Sequence, residues 1–221
     1  GGWDAVEAAF ESPPQSTEQI IHLTDEEPVP IEYTDRARNG WETFPNQGEG
    51  GSDTVGEASM YVMFWYQART AGARTVSPQS VVQTTDQYDI YNYDAEPSTG
   101  WGNDRVFPYE KGSGEEAQYG YVWVTEWDTE EDADEFVEAY GEILVAQGVA
   151  EFDGEGQYVV PSGEFADAFR IDRQGTRVTI VNAPTAEDLS DIRPAPESGS
   201  DGTAASDDDA GSTGLEAPGF G

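Results

Sequence analysis

The run "DRVFPYEKGSGEEAQYGYVWVTEWDTEEDADEFVEAYGEILVAQG", residues 104–148, most narrows what this chain can fold into, because its hydrophobic period changes part-way. Its first half holds two alternating, aromatic-rich stretches on either side of Gly112-Ser113-Gly114. Period-two alternation, β-branched and aromatic side chains and a glycine loop together predict an antiparallel hairpin. On its second strand Trp123 and Trp127 fall on the same face. The second half has helical spacing. Asp128 or Thr129 is placed to cap it, acids fill the first turn against the positive end of the helix dipole, and Ala133, Phe136, Val137, Tyr140 and Leu144 form one face up to Gly148.

Three further strand candidates follow, "QYVVPS", "DAFRIDRQ" and "TRVTIVNAP", the last two joined by a Gln-Gly turn, and then a short helix, "TAEDLSDI". Upstream, Trp3, Val6 and Phe10 give a helix over residues 3–11 that Pro13 and Pro14 end. Ser16 and Gln19 have the spacing of a capping box for a second short helix. "EEPVPIEY" reads as an extended loop or sheet edge, and "GEGGSDTVGEASMYVMFWYQART" as a buried helix with Asp53 or Thr54 as its cap. Residues 71–100 read as a connector with short helical turns around Val81 and Ile90. Strands grouped around one main helix predict an α+β fold, an antiparallel sheet with helices on one side. The expected organisation is a mainly helical segment over 1–72, a connector over 73–98, an α+β domain over 99–193 and an acidic stalk over 194–221.

That stalk cannot bury enough surface to offset the entropy of ordering it. Residues 197–221 contain six acids, no base, and Leu215 and Phe220 as their large apolar groups, so disorder is expected. Charge imbalance is not confined there. The whole chain has 45 Asp and Glu against 10 Lys and Arg, a formal net charge of −35, and Lys111 is the one lysine. Acids lie throughout the foldable segments, which points to adaptation to brine, where screening removes self-repulsion. Basic residues are scattered singly, and this argues against a nucleic-acid partner.

Cysteine is absent, which removes disulfides, thiolate nucleophiles and Cys-ligated metals. His22 is the one histidine, too few for a zinc-hydrolase site and read instead as a helix-end hydrogen-bonding residue. The sequence therefore assigns no catalytic, cofactor or metal residue. One compact polar motif stands out, "GWGNDR", in which Trp101 anchors a turn and Asp104 and Arg105 are placed to pair at a strand entrance, either as a structural pin or as a ligand contact. Were the neighbouring Trp123 and Trp127 exposed beside Trp101, they would suit a carbohydrate or peptide; buried, they are core.

The chain ends "EAPGFG". Pro218, Gly219 and Phe220 after an acidic stalk resemble the C-terminal sorting signal of haloarchaeal surface proteins, PGF-CTERM. The resemblance implies a hydrophobic segment and basic residues beyond Gly221, recognition by an archaeosortase, attachment to membrane lipid and a location on the outer face of the cell membrane. Missing an initiator Met and an export signal, the chain is expected to begin inside a longer protein.

A second resemblance concerns the foldable part. "GGWDAVEAAFESPPQSTEQIIH", "GWGNDRVFPYE" and "VWVTEWDTEEDADEFVEAY" are similar to the C-terminal region of proteins related to zinc metallopeptidases. Departure from that pattern begins after His22, and the His-Glu-x-x-His motif of that group would lie upstream. The expected function is a non-catalytic surface ectodomain with an envelope polymer or peptide as its unidentified ligand. The alternative is the scaffold part of a secreted metallopeptidase-like hydrolase.

Dispersed one-sided charge makes stability depend on screening. Molar salt shortens the Debye length to about 3 Å, so the melting temperature is expected to rise steeply from low to molar NaCl. Thermal melts across that range check it, and a salt-independent melting temperature would contradict salt adaptation.

Overall fold

The computed structural model describes residues 2–83, 90–152 and 156–196. Among the described residues seven strands form one antiparallel sheet in the order β1 (Trp41–Thr43), β2 (Trp101–Lys111), β3 (Gln118–Trp127), β7 (Arg177–Ala183), β6 (Ala168–Gln174), β5 (Gln157–Val159), β4 (Glu151–Phe152). The expected hairpin is its centre: β2 (Trp101–Lys111) pairs with β3 (Gln118–Trp127), and β3 then pairs with β7 (Arg177–Ala183). A second hairpin joins β6 (Ala168–Gln174) to β7. Two short edge strands, β1 (Trp41–Thr43) beside β2 and β4 (Glu151–Phe152) beside β5 (Gln157–Val159), were not legible as strands because two or three residues carry no measurable alternation.

The helix predicted after the hairpin is α4 (Glu130–Ala146), capped by Thr129 in a reciprocal box with Asp132. It leaves the sheet centre at the end of β3 and returns the chain to the far edge at β4, so it crosses one face. Phe136 is the hub of that face. Its ring meets Trp127 at 4.8 Å, Trp123 at 5.5 Å, Phe64 at 5.9 Å and Tyr140 at 6.0 Å between centroids. Ring pairs in such tilted and edge-on geometries add to the area term of burial. Trp101, Trp123 and Trp127 are all buried here, so the aromatic face is core and not a ligand platform.

The buried helix expected within "GEGGSDTVGEASMYVMFWYQART" is α3 (Glu57–Thr70), which packs beside α4 and contributes Met60 and Phe64 to the same core. Neither Asp53 nor Thr54 caps it. Asp53 is bridged to Val106 of β2, Thr54 bonds the Asp104 carbonyl, and Gly56 stands at the cap position with φ 76°. The segment enters the helix along the sheet edge, which uses those groups before the helix begins.

Helices occur on both faces of the sheet. α5 (Ala186–Ile192) packs Leu189 and Ile192 on the opposite side, against Tyr109, Val122, Val124 and Val181, and residues 31–37 lie over the same face through Ile31, Tyr33 and Ala37. This corrects the one-sided arrangement and explains why β3 is buried on both faces at its middle: Trp123 faces the first core while Val122 and Val124 face the second. At the N-terminus α1 (Trp3–Glu11) and α2 (Thr17–Ile21) form as their spacing requires. Ser16 caps α2, but the Gln19 side chain bonds the Gln15 N–H rather than that of Ser16, so the box is shifted by one residue. The apolar side of α1 is unpacked, with Trp3 and Phe10 both exposed. A one-turn 3-10 helix covers Ser80–Val82. Most of the turn expected around Ile90, and the acidic tail with Pro218, Gly219 and Phe220, lie outside the described residues.

Close approach at Gly120 supplies a test of this packing. A Cβ built there would lie 2.5 Å from the Asn182 carbonyl oxygen and 2.5 Å from Ile192 Cδ1. Gly120→Ala is therefore expected to cost about 1–3 kcal/mol through overpacking. Gly141, inside α4, meets only Tyr158 Oη at 3.9 Å, so Gly141→Ala is expected to stabilise by about 0.5–1 kcal/mol. Urea melts of the two variants should move in opposite directions.

Candidate functional site

Two clusters of polar side chains are built where the N-terminal segment, α3 and the start of the hairpin meet. The first centres on Asp104. A register shift between Trp101 and Asn103 in the β2–β3 pairing makes Gly102 an extra residue, and this puts Trp101 and Asp104 on one side of the strand. Asp104 is fully buried. Its Oδ1 accepts from Trp101 Nε1 at 3.0 Å and from the Gly56 N–H at 2.8 Å, and its Oδ2 from Trp123 Nε1 at 2.9 Å and the Val55 N–H at 2.8 Å. Burial pushes the carboxyl up from its ordinary range, against the opposing pull of these four donors. The carboxylate fixes the two backbone amides leading into α3 and adds negative charge at its amino end, while the capping role expected of Asp53 or Thr54 falls to Thr17, whose Oγ1 accepts the Ala58 N–H in the first turn.

Asp104 and Arg105 do not pair. Successive strand residues point to opposite faces, and Arg105 instead forms an ion pair with Glu49 in the loop before α3. Trp101, Asp104 and Arg105 thus lie where the sequence places them, at the entrance of a strand, with Trp101 and Asp104 inside and Arg105 half-buried outside.

The second cluster surrounds His22, the C-cap of α2. His22 Nε2 is 2.7 Å from Glu57 Oε1, at the first residue of α3. Glu57 is wholly buried, and burial pushes its carboxyl up while His22 pulls it down. Burial would lower His22, but the hydrogen bond and charge of Glu57 outweigh it and raise the imidazole above its usual range. Glu18 of α2 lies beside them, 3% exposed. Oxygens of Glu18, Glu26 and Asp128 come within 4.8 Å of one another. Burial first, and then the charges of Asp128, Glu57 and Glu26, push the Glu18 carboxyl up to about 7, with His22 opposing. Asp128 is raised as well, by burial and then by Glu26 and Asp132.

The backbone around each of the three acids is anchored separately. Thr17, next to Glu18, accepts the Ala58 N–H of α3 through Oγ1 at 3.1 Å. The Glu26 carbonyl receives Gln19 Nε2, and the Glu26 N–H bonds Thr24 Oγ1. Asp128 is held by its N–H on the Gly100 carbonyl at 2.9 Å. Sequence reasoning placed His22 and missed the rest, because Glu18, Glu26, Glu57 and Asp128 are four acids among 45 and come from distant parts of the chain. No spacing rule links them.

A third concavity, about 680 Å³, opens on the other side of the sheet between Arg36, Arg177, Arg193, Asp172 and Pro194. Its arginines, scattered in sequence, are gathered by the fold to hold residues 32–34: Arg177 donates to the Glu32 carbonyl, Arg193 donates to that of Thr34, and the Arg193 guanidinium lies 5.1 Å from the Tyr33 ring centroid.

The raised Glu18 carboxyl makes stability depend on pH with a definite sign. Its folded value, about 7, exceeds the model-peptide value of 4.5, so between those limits the folded state holds a proton that the unfolded chain releases. Stability from this group is therefore present below about pH 4.5 and lost as pH rises toward 7. In chelator-treated buffer the loss should be on the order of 3 kcal/mol. Glu18→Gln, which cannot titrate, should flatten this component; equal pH slopes for variant and parent would contradict it.

No curated protein and no solved structure matches the chain. A family defined from sequence does match, over residues 42–193, a span that contains α3, the Asp104 cluster, the sheet from within β1 onward and both helical layers. Glu57 and Asp128 fall inside that span, whereas Glu18, His22 and Glu26 precede it. The chain belongs to the family described as a domain of unknown function, DUF8575.

Proposed function

We propose that the chain is the membrane-proximal, non-catalytic ectodomain of a haloarchaeal cell-surface protein, held at the outer face of the membrane through its C-terminus. One observation carries this reading: an acid-rich segment without bases, residues 194–221, follows the last element among the described residues and leads to Pro218-Gly219-Phe220. The net charge of −35 supports the salt-adapted setting. The arrangement of the polar motifs supports a binding or spacing module rather than a reaction centre. Asp104 has both oxygens engaged by internal donors, and His22 is bonded to Glu57.

Among the described residues no helix is long and apolar enough to cross a membrane. Attachment in this proposal uses a segment encoded after Gly221, about 20 apolar residues to span a ~30 Å hydrocarbon core, closed by Arg or Lys on the inner side. An archaeosortase would exchange that segment for lipid, leaving the stalk to lift the sheet domain off the surface.

The test is in cells. Replacing Pro218, Gly219 and Phe220 together by alanine should block processing without changing the melting temperature of the folded domain. The mass of the mature C-terminus and its partition into detergent report the lipid. A triple variant processed like its parent, or a stop codon directly after Gly221, would overturn the proposal.

A further inference from the structure

The carboxylates around Glu18 combine two features that seldom coexist in a purely structural cluster. Three acids bring oxygens within 4.8 Å of one another, an arrangement that costs free energy through like-charge repulsion. In addition, Glu18 is 97% buried by its 3% exposure, yet its Oε2 has no hydrogen-bond partner and no access to solvent. Glu57 Oε2, in the adjoining His22 pair, is orphaned in the same way. These two are the unsatisfied buried carboxylate oxygens among the described residues, and both belong to one neighbourhood. A buried carboxylate oxygen without a donor in the protein calls for a partner.

We propose that Glu18, Glu26 and Asp128 bind a hard divalent cation of calcium's size. Oxygen-only donors select Ca²⁺ or Mg²⁺ over zinc and copper, which favour imidazole or thiolate. Oxygens on one Ca²⁺, each about 2.3–2.6 Å from the ion, lie at most about 5 Å apart, so three oxygens all within 4.8 Å of one another can share one ion. Three protein carboxylates favour Ca²⁺, whose shell is large and flexible, over Mg²⁺, which keeps several waters and takes one or two carboxylates. Three carboxylates supply the charge, the buried Glu18 oxygen gains the partner it lacks, and the exposed Glu26 and Asp128 leave room for water in the remaining positions.

The site also has a mechanical consequence. Glu18 and Glu26 come from the segment before the family match, and Asp128 from the turn between β3 and α4. A bound cation would clamp the N-terminal segment to the sheet domain, reinforcing the Val29 N–H to Gly102 carbonyl bond and the Asn103 Nδ2 to Val29 carbonyl bond beside it.

Titration calorimetry of the full chain with CaCl₂ in molar NaCl, after chelator treatment, tests this. One saturable site per chain is expected, with MgCl₂ binding at least tenfold more weakly. Glu18→Gln and Asp128→Asn should each weaken calcium binding at least tenfold, while Glu115→Gln, in the distant hairpin loop, should leave it unchanged. Asp128 is exposed, so its variant folds even if the Glu18 variant does not. Calcium should also slow proteolysis before Trp41 in the parent and not in Asp128→Asn. Graded binding without saturation, equal losses in all three variants, or the same protection from extra NaCl alone would mean diffuse counterion association and overturn the proposal.

Discussion

The Asp104 carboxylate is the interaction on which the arrangement of the other elements depends. It is buried without a cation, and it stands because four N–H groups from three directions converge on it: two indoles of the hairpin and two backbone amides leading into α3. Removing the carboxylate would orphan all four donors in the core, which makes this group far more consequential than its single charge indicates. It sets where α3 starts, and so which face of the sheet Met60 and Phe64 cover.

From that anchor the packing follows. With α3 fixed at its amino end, α4 lies beside it and Phe136 fills the space among Phe64, Trp123 and Trp127. The opposite face is closed by α5 and by residues 31–37, the latter held by Arg177 and Arg193 and by the hydroxyl contact of Tyr33 with Tyr109 at 2.6 Å. Ten bases stand against 45 acids, so ion pairs are few beside the acids present. Arg173 alone joins Asp134 and Glu130 of α4 to β6. Such exposed pairs contribute little individually and are weakened further by salt. At high salt, stability must come from burial and internal hydrogen bonds, and the two aromatic-rich cores supply them.

The same acid excess gives the cluster around Glu18 its meaning. A surface carboxylate in this chain is unremarkable, since solvation and salt take care of it. A buried one must find a partner. Asp104 finds indoles and amides, Asp188 finds Thr185, Lys111 and Trp41, and Glu57 finds His22 for one oxygen. Glu18 Oε2 finds none among the described residues, and neither does Glu57 Oε2 beside it.

Local chemistry alone determined much of the protein. The hairpin, α4 with its Thr129 cap, the β6–β7 pair and α5 were legible because period, caps and turn glycines act between near neighbours in the chain. The acidic excess and the Pro-Gly-Phe ending are equally properties of sequence. Tertiary structure decided what depends on distance in space. It moved the capping of α3 from Asp53 or Thr54 to the Thr17 hydroxyl, separated Asp104 from Arg105, sent α5 to the second face and buried the three tryptophans. Gly102 within a strand was the one local sign of the bulge responsible for the Asp104 site. The gathering of Glu18, Glu26 and Asp128 had no such sign, because among 45 acids only the fold singles out the three whose oxygens meet and the one that loses its water.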